Sequence, residues 1–400
     1  MAAGQLLTAE QEVRRRIAAR GAITFAEFMD VALYWPCGGY YTSYSRIGPE
    51  GDYYTSSLVH PAFGALLCVQ LYQMWEMMER PARFHVVELG AGNGNLARDI
   101  LEYARHLPSG FSRALRYICV DRQSVHRHEA GTTAERVTSS GVPFRGIAGC
   151  ILSNELVDAF PVHRVTVRNG KLLEMYISEH GGELLEVLDA PSTPLLRQRL
   201  DALGVRLTEG YRIEINLAVD GWMRDVAAAL ARGFVLTIDY GYTADEYYSS
   251  GRSGGTLMCA RRHRLEQDPY ARIGQQDITA HVDFTSLIRA GEAVGLNTVA
   301  LTTQRQFLVG LGLFRMLPRL REAGLSAQEM EANRQSMMHL VGPGGLGRFK
   351  VLVQAKGVVG EGLWGVIGGT PDMGAPAPLL TPGHLRLTSG CREDAAGQPQ

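Results

Sequence analysis

The chain has 400 residues, 46% hydrophobic and 20% charged, which suits one large soluble domain or two ordinary ones. Forty Lys and Arg against 41 Asp and Glu leave a net charge of −1, so no global field draws it to nucleic acid or to an anionic membrane. No apolar run approaches the roughly 20 residues of a bilayer span. The six cysteines show neither CxxC nor metal-ligand spacing, so a cytoplasmic protein with reduced thiols and no metal is expected.

Residues 1–82 read as an N-terminal helical segment with an aromatic loop. Arg14, Arg15, Arg16 and Arg20 suggest a transit peptide, but Glu10 and Glu12 argue for an ordinary first helix without a secretory signal. Thr24 and Glu27 have capping-box spacing ahead of FAEFMDVALY. The stretch YWPCGGYYTSYSRIGPEGDYYTSS is a loop unusually rich in aromatics. Its Tyr53, Tyr54, Thr55 and Ser56 read either as a lid over a cofactor or as packing. An amphipathic helix is predicted from His60 to Met78, ended by Pro81. Apolar surface on these first helices would serve a homodimer or a cap.

Residues 83–356 read as an α/β core. FHVVELG, LRYICVD, AGCILSN and GFVLTIDYG are continuous apolar strands alternating with helices, the pattern of a mostly parallel sheet buried on both faces. VHRVTVRNGKLLEMYIS alternates around Asn169-Gly170, a hairpin signal. An α+β cap is therefore expected as insertions at about 161–216 and 243–282. DFTSLIRAGEAVG is a helix, with His281 and Asp283 read as its cap; LNTVALTT and GRFKVLVQA are late strands. The short run RRHR at 261–264 reads as a solvated face. Residues 357–400, rich in Gly, Pro and small residues, are expected to be a disordered tail.

VVELGAGNGNLARDI places Glu88 two residues before Gly90, with Gly92 and Gly94 following. Glycines let the backbone turn tightly and approach a ligand, and the next helix points free N–H groups at the turn. A dinucleotide fingerprint reads GxGxxG; here the third glycine is one place early. GxGxG behind an acid suits S-adenosylmethionine, whose ammonium an acid helps to hold. A nicotinamide dehydrogenase is disfavoured by the same spacing. Asp121, at the tip of the next strand, is placed to accept the ribose hydroxyls.

AGCILSNELVDAFPVHR ends an apolar strand in Ser153-Asn154-Glu155. Ser153 or Asn154 is either a helix cap or the start of a polar site at the carboxyl edge of the sheet. Asp239-Tyr240-Gly241 ends another strand at that edge, as a site or as a turn.

The chain resembles the MidA family of class I S-adenosylmethionine-dependent methyltransferases. The matching stretches are ITFAEFMDVALYWPCGGYY, GDYYTSS, VVELGAGNGNL, SNELVDAFPVHR, VLTIDYGY, GGTLMCARRHR, DITAHVDFTSL, QRQFLVGLG and GRFKVLV, over roughly residues 20–355. It departs from the family's usual ELGPGRGTL at Ala91, Asn93 and Asn95, and from NEFFDALPVH at Leu156, Val157, Ala159 and Phe160. The family's Ser-Pro-Glu is here Ser56-Ser57-Leu58.

The resemblance implies a Rossmann-like class I fold and places Asn154 and Glu155 beside the methyl donor. The family has a mitochondrial member that methylates protein arginine and assists assembly of respiratory complex I. Carboxylates suit a planar, cationic guanidinium. Glu155, with Asp158 three residues on, is expected to hold the acceptor, while Asn154 touches the donor or braces the loop. His163 reads as a base or, more ordinarily, as a structural residue. Methylation of arginine in a protein is the leading expectation. A small-molecule methyltransferase and a non-catalytic assembly factor that binds S-adenosylmethionine are its alternatives.

Overall fold

The computed structural model describes residues 6–42, 55–123, 134–261 and 264–384. It begins with α1 (Ala9–Arg20), a two-residue strand β1 (Ile23–Thr24) and α2 (Phe25–Tyr34). The Thr24 hydroxyl accepts the Glu27 N–H at 3.1 Å, as the capping spacing predicts. The reciprocal half of the box is replaced by ion pairs from Glu27 to Arg16 and Arg20. A short α3 (Ser56–Val59) leads into α4 (Ala62–Met77). The helix expected here to be amphipathic is buried from Ala62 to Trp75 on every face. Its apolar surface is consumed inside the chain, which removes that motive for a dimer.

The core starts with β2 (Phe84–Leu89), α5 (Asn95–Ala104), α6 (Ser109–Ala114), β3 (Leu115–Asp121), β4 (Glu135–Thr138) and β5 (Ile147–Asn154). Cap strands follow: β6 (His163–Arg168), β7 (Lys171–His180), β8 (Glu183–Asp189) and, after α7 (Leu195–Leu203), β9 (Arg212–Ile215). Next come α8 (Ala218–Ala229), β10 (Leu230–Asp239), β11 (Gly241–Tyr242) and α9 (Ala244–Tyr247). A second cap group is β12 (Leu257–Arg261), β13 (Arg264–Glu266) and β14 (Asp277–Ala280). The chain closes with β15 (Val282–Asp283), α10 (Phe284–Glu292), β16 (Asn297–Thr303), α11 (Gln304–Gly310), α12 (Leu313–Arg319), α13 (Ala327–His339), β17 (Lys350–Lys356) and α14 (Trp364–Ile367).

Seven strands form the central sheet in the order β16-β17-β10-β5-β2-β3-β4. β10, β5, β2, β3 and β4 run parallel, and β17 is antiparallel to both its neighbours. Side chains alternate between two cores, as a sheet buried on both faces requires. Phe84 and Val86 pack with α4 and α5, whereas Val87 and Leu89 pack with α8 and α10. The strand order reverses between β2 and β5, where open α/β sheets bind ligands.

In the cap, β1, β7, β6 and β9 pair in that order, with β8 on β7. Asn169 (φ 52°) and Gly170 (φ 68°) make the tight turn between β6 and β7 that the Asn-Gly pair predicts. Asp283 caps α10 through the Thr285 and Ser286 N–H groups. The tail departs from expectation. Up to His384 it is packed, with Leu363, Ala375 and Ala377 in the main core. Side-chain amides hold its backbone: Gln73 and Gln70 on α4 accept the Trp364 and Gly365 N–H groups. A composition typical of disorder here reflects small residues fitted against helices. Residues 385–400 lie outside the described residues. Among the described residues no helix is long and apolar enough to cross a membrane.

Candidate active site

Register assembles the site. Leu89 pairs with Val120 on one side and Ser153 on the other, and Asn154 pairs with Ile238. The residues just beyond these pairs, Gly90, Asp121, Glu155 and Asp239, therefore meet at one edge of the sheet. Gly90, Asp121 and Glu155 open onto a cavity of about 660 Å³, while Asp239 is buried behind the loop it holds.

The glycine turn forms one wall. Gly90, Gly92 and Gly94 have φ of 72°, 50° and 82°, the left-handed region that glycine tolerates. The Gly90 N–H donates to the Val120 carbonyl at 2.9 Å. A Cβ at Gly90 would lie 2.8 Å from Leu156, and one at Gly94 would lie 2.2 Å from the Arg136 guanidinium. Asp121 Oδ2 accepts the Gly92 N–H at 2.9 Å, so this acid braces the turn as well as lining the cavity. Glu88 sits on the floor, buried, accepting the Tyr117 hydroxyl at 2.9 Å. Burial pushes its carboxyl up to about 8, so an incoming cation would be needed to ionise it fully at neutral pH.

The Asn154–Asp158 loop forms the facing wall. Glu155 has φ 51°, strained for a residue with a side chain. Two contacts from β10 hold it. The Glu155 N–H donates to the Ile238 carbonyl at 2.8 Å. Asp239 Oδ2 accepts the Leu156, Val157 and Asp158 N–H groups at 3.2, 2.9 and 3.3 Å. The expected helix is one turn of 3₁₀, Val157–Ala159, and neither Ser153 nor Asn154 caps it; Asp239, from the neighbouring strand, does.

Glu155 Oε1 accepts the Ser56 N–H at 2.9 Å and the Asn154 side-chain amide at 3.1 Å. Desolvation nevertheless holds the Glu155 carboxyl up at about 8 and Asp158 at about 6. Burial and the nearby Asp158 and Glu155 charges raise Asp239 well above the usual range. Asp158 Oδ2 accepts the Tyr240 hydroxyl. Among the described residues, Asp158 Oδ1 and Asn154 Oδ1 are buried acceptors with no donor, the condition of atoms that await a ligand's N–H or O–H.

Tyrosines close the outer side. Tyr34 and Tyr41 stack at 5.6 Å, the Arg122 guanidinium lies 3.9 Å over Tyr34, and the Tyr41 hydroxyl donates to Asp277. Among its described residues six carboxylates line the cavity, Glu88, Asp121, Glu155, Asp158, Asp225 and Asp277, and Arg122 is the single Lys or Arg.

Other expected residues sort differently. Thr55 lines the cavity, but Ser56 turns away to brace Glu155 through its N–H and Gln304 through its hydroxyl. Tyr53, Tyr54, Arg262 and His263 lie outside the described residues. His163 does not line the cavity; its Nδ1 pairs with the buried Glu174 at 2.7 Å inside the cap, the structural reading rather than the base. His281 packs edge-on to Tyr240, with both ring nitrogens buried and, among the described residues, unpartnered. Sequence reasoning missed Arg122, Asp277, Trp222 and Asp225. Only the aromatic density of ALYWPCGGYY signalled part of that wall.

The residues fit a methyl donor of the expected kind. Gly90 and Gly92 bring bare backbone to the cavity wall, an acid ends β3, and a carboxyl able to take an ammonium lies beneath the turn. Comparison with known proteins agrees. A family described as "Putative S-adenosyl-L-methionine-dependent methyltransferase" matches residues 66–302. A Drosophila melanogaster relative named a mitochondrial protein arginine methyltransferase NDUFAF7 homolog is 29% identical, over 87% of this chain and 85% of its own. The Mus musculus protein arginine methyltransferase NDUFAF7 is 28% identical over 80% of both chains. A Burkholderia thailandensis structure bound to S-adenosyl-homocysteine superposes with a TM-score of 0.79 at 28% identity, covering 90% of this chain and 94% of that one.

Proposed function

We propose, for a chain that belongs to the S-adenosyl-L-methionine-dependent methyltransferase family, that it transfers a methyl group to an arginine nitrogen of a protein substrate. The observation that carries the acceptor is the excess of carboxylates over cations in the cavity, with two buried acceptor oxygens lacking donors on the loop facing the glycine turn. The relatives named as arginine methyltransferases support it.

S-adenosylmethionine supplies an electrophilic methyl on a sulfonium. The chain's part is alignment and proton management. Gly90, Gly92 and Gly94 admit the donor, Asp121 takes its ribose, and Glu88 takes its ammonium. Glu155 Oε2 and Asp158 Oδ1 grip the guanidinium, localising its charge and turning one nitrogen lone pair toward the methyl. Asn154 Oδ1 accepts a further N–H. The proton that leaves the methylated nitrogen passes to Glu155, whose burial makes it the stronger base of the pair. The five described cysteines are all unpaired, which supports a reducing setting.

Glu155→Ala and Asp158→Ala test the assignment. Each should keep S-adenosyl-homocysteine binding, measured by calorimetry, and lose label transfer from S-adenosylmethionine to protein. Unchanged transfer in both variants would refute the acceptor site. Label found only in small molecules would refute the arginine reading.

A further inference from the structure

We propose that the C-terminal segment is a positioning strap for the methyl-donor turn, with His384 as its latch. The idea rests on the donor site and not on the identity of the acceptor. After α14 the segment crosses α11, α12 and α13 by side-chain–backbone bonds, joined on α12 by an ion pair from Arg319 to Asp372. The Thr370 hydroxyl donates to the Gly310 carbonyl, Arg319 donates to the Ala375 carbonyl, and the Leu380 N–H donates to Asn333 Oδ1. Its last described residues lie against α5, the helix that the glycine turn opens. There the Asn95 side-chain amide donates to the Gly383 carbonyl at 3.3 Å. One turn along, His384 Nε2 meets Asp99 Oδ2 at 2.8 Å, with both side chains buried. His384 Nδ1 is in turn held by Thr381 Oγ at 2.8 Å.

These contacts reach the donor turn directly. Asn95 is the first residue of α5, and its N–H closes back on Asn93 Oδ1 at 3.1 Å, inside the turn. The strap thus fixes the turn from the side away from the cavity, while Asp121 fixes it from within. Without His384, the buried Asp99 keeps Arg98 as its ion-pair partner among the described residues and loses its bond on Oδ2. The first turn of α5 then loosens, and a site organised in advance becomes one that the donor must order. Because linkage is reciprocal, donor binding must tighten the strap as much as the strap tightens the donor.

The full-length chain and S-adenosyl-homocysteine as probe test this. His384→Ala should weaken binding by about tenfold, raise KM for S-adenosylmethionine by the same factor and leave kcat near wild type. His384→Gln, which can still donate to Asp99, should recover most of the loss. A folded His384→Ala chain with wild-type affinity overturns the proposal. If that variant fails to fold, hydrogen exchange in the wild type decides. The probe should raise amide protection over 95–99 and 380–384 together; protection confined to 95–99 overturns the strap. A wild-type chain that does not bind the probe overturns the donor reading, and the strap's role with it.

Discussion

Replacing Glu155 by Gln should flatten the pH dependence of methyl transfer. Burial holds this carboxyl up at about 8 against the opposing Ser56 and Asn154 hydrogen bonds. Roughly one-tenth of the molecules are then ionised at pH 7, half at pH 8 and roughly nine-tenths at pH 9. A guanidinium keeps its charge across this range, so it engages only the ionised form. With limiting acceptor, the wild-type rate should climb about tenfold from pH 7 to pH 9, equivalent to about 1.4 kcal/mol. Gln keeps the shape and one acceptor oxygen but neither charge nor basicity. The variant should lose that limb and run about 10²-fold slower or worse. The assay is the initial rate of labelled methyl transfer into protein of a lysate lacking this chain. Unfolding curves verify that the variant is folded at each pH. A flat wild-type profile, or a Glu155→Gln profile that keeps the tenfold rise, would refute the role given to Glu155.

The same group sets a stability test. Its folded pKa lies above the unfolded value of 4.5, so its favourable contribution is complete below pH 4.5 and disappears as pH rises through 8. Glu155→Gln should match wild type at pH 4 and exceed it by at most about 5 kcal/mol at pH 9 in urea unfolding; equal stability at pH 9 argues against burial. Gly149→Ala, at φ 150° with its new Cβ 2.0 Å from the His85 carbonyl oxygen, should cost more than about 4 kcal/mol. A soluble variant with a normal melting temperature would contradict the β2–β5 register. His163→Ala removes the partner of buried Glu174 and should cost about 1–3 kcal/mol while leaving the transfer rate at saturating substrate unchanged. Lost transfer in a stable variant would restore His163 as a base.

The donor half of the site was legible because its parts are contiguous. Strand, GxGxG turn and helix lie within residues 84–104, and Asp121 ends the strand paired beside them. The Asn-Gly turn and the Asp283 cap were readable for the same reason, since each is fixed within about four residues. The acceptor half is assembled from distant segments. Asp239 caps a turn 81–83 residues away, and Tyr41 reaches Asp277 across 236; local pattern holds no trace of either. Ser56 shows the limit in miniature. The sequence placed it near the cofactor loop, but its partner depends on where Glu155 is held by β10. The tail failed for a different reason: Gly- and Pro-rich composition is shared by free chain and by backbone strapped to side-chain amides such as Gln70, Gln73 and Asn333.

The central claim is a methyl donor at the glycine turn facing an acidic acceptor loop. Its most direct test is mass-spectrometric mapping of labelled methyl groups transferred by the wild-type chain, and by Glu155→Gln as control, into a lysate lacking it. The account predicts label on arginine nitrogen of one or a few proteins, present with wild type and absent with the variant. Label on another residue type, label only in small molecules, or equal label with Glu155→Gln would contradict it.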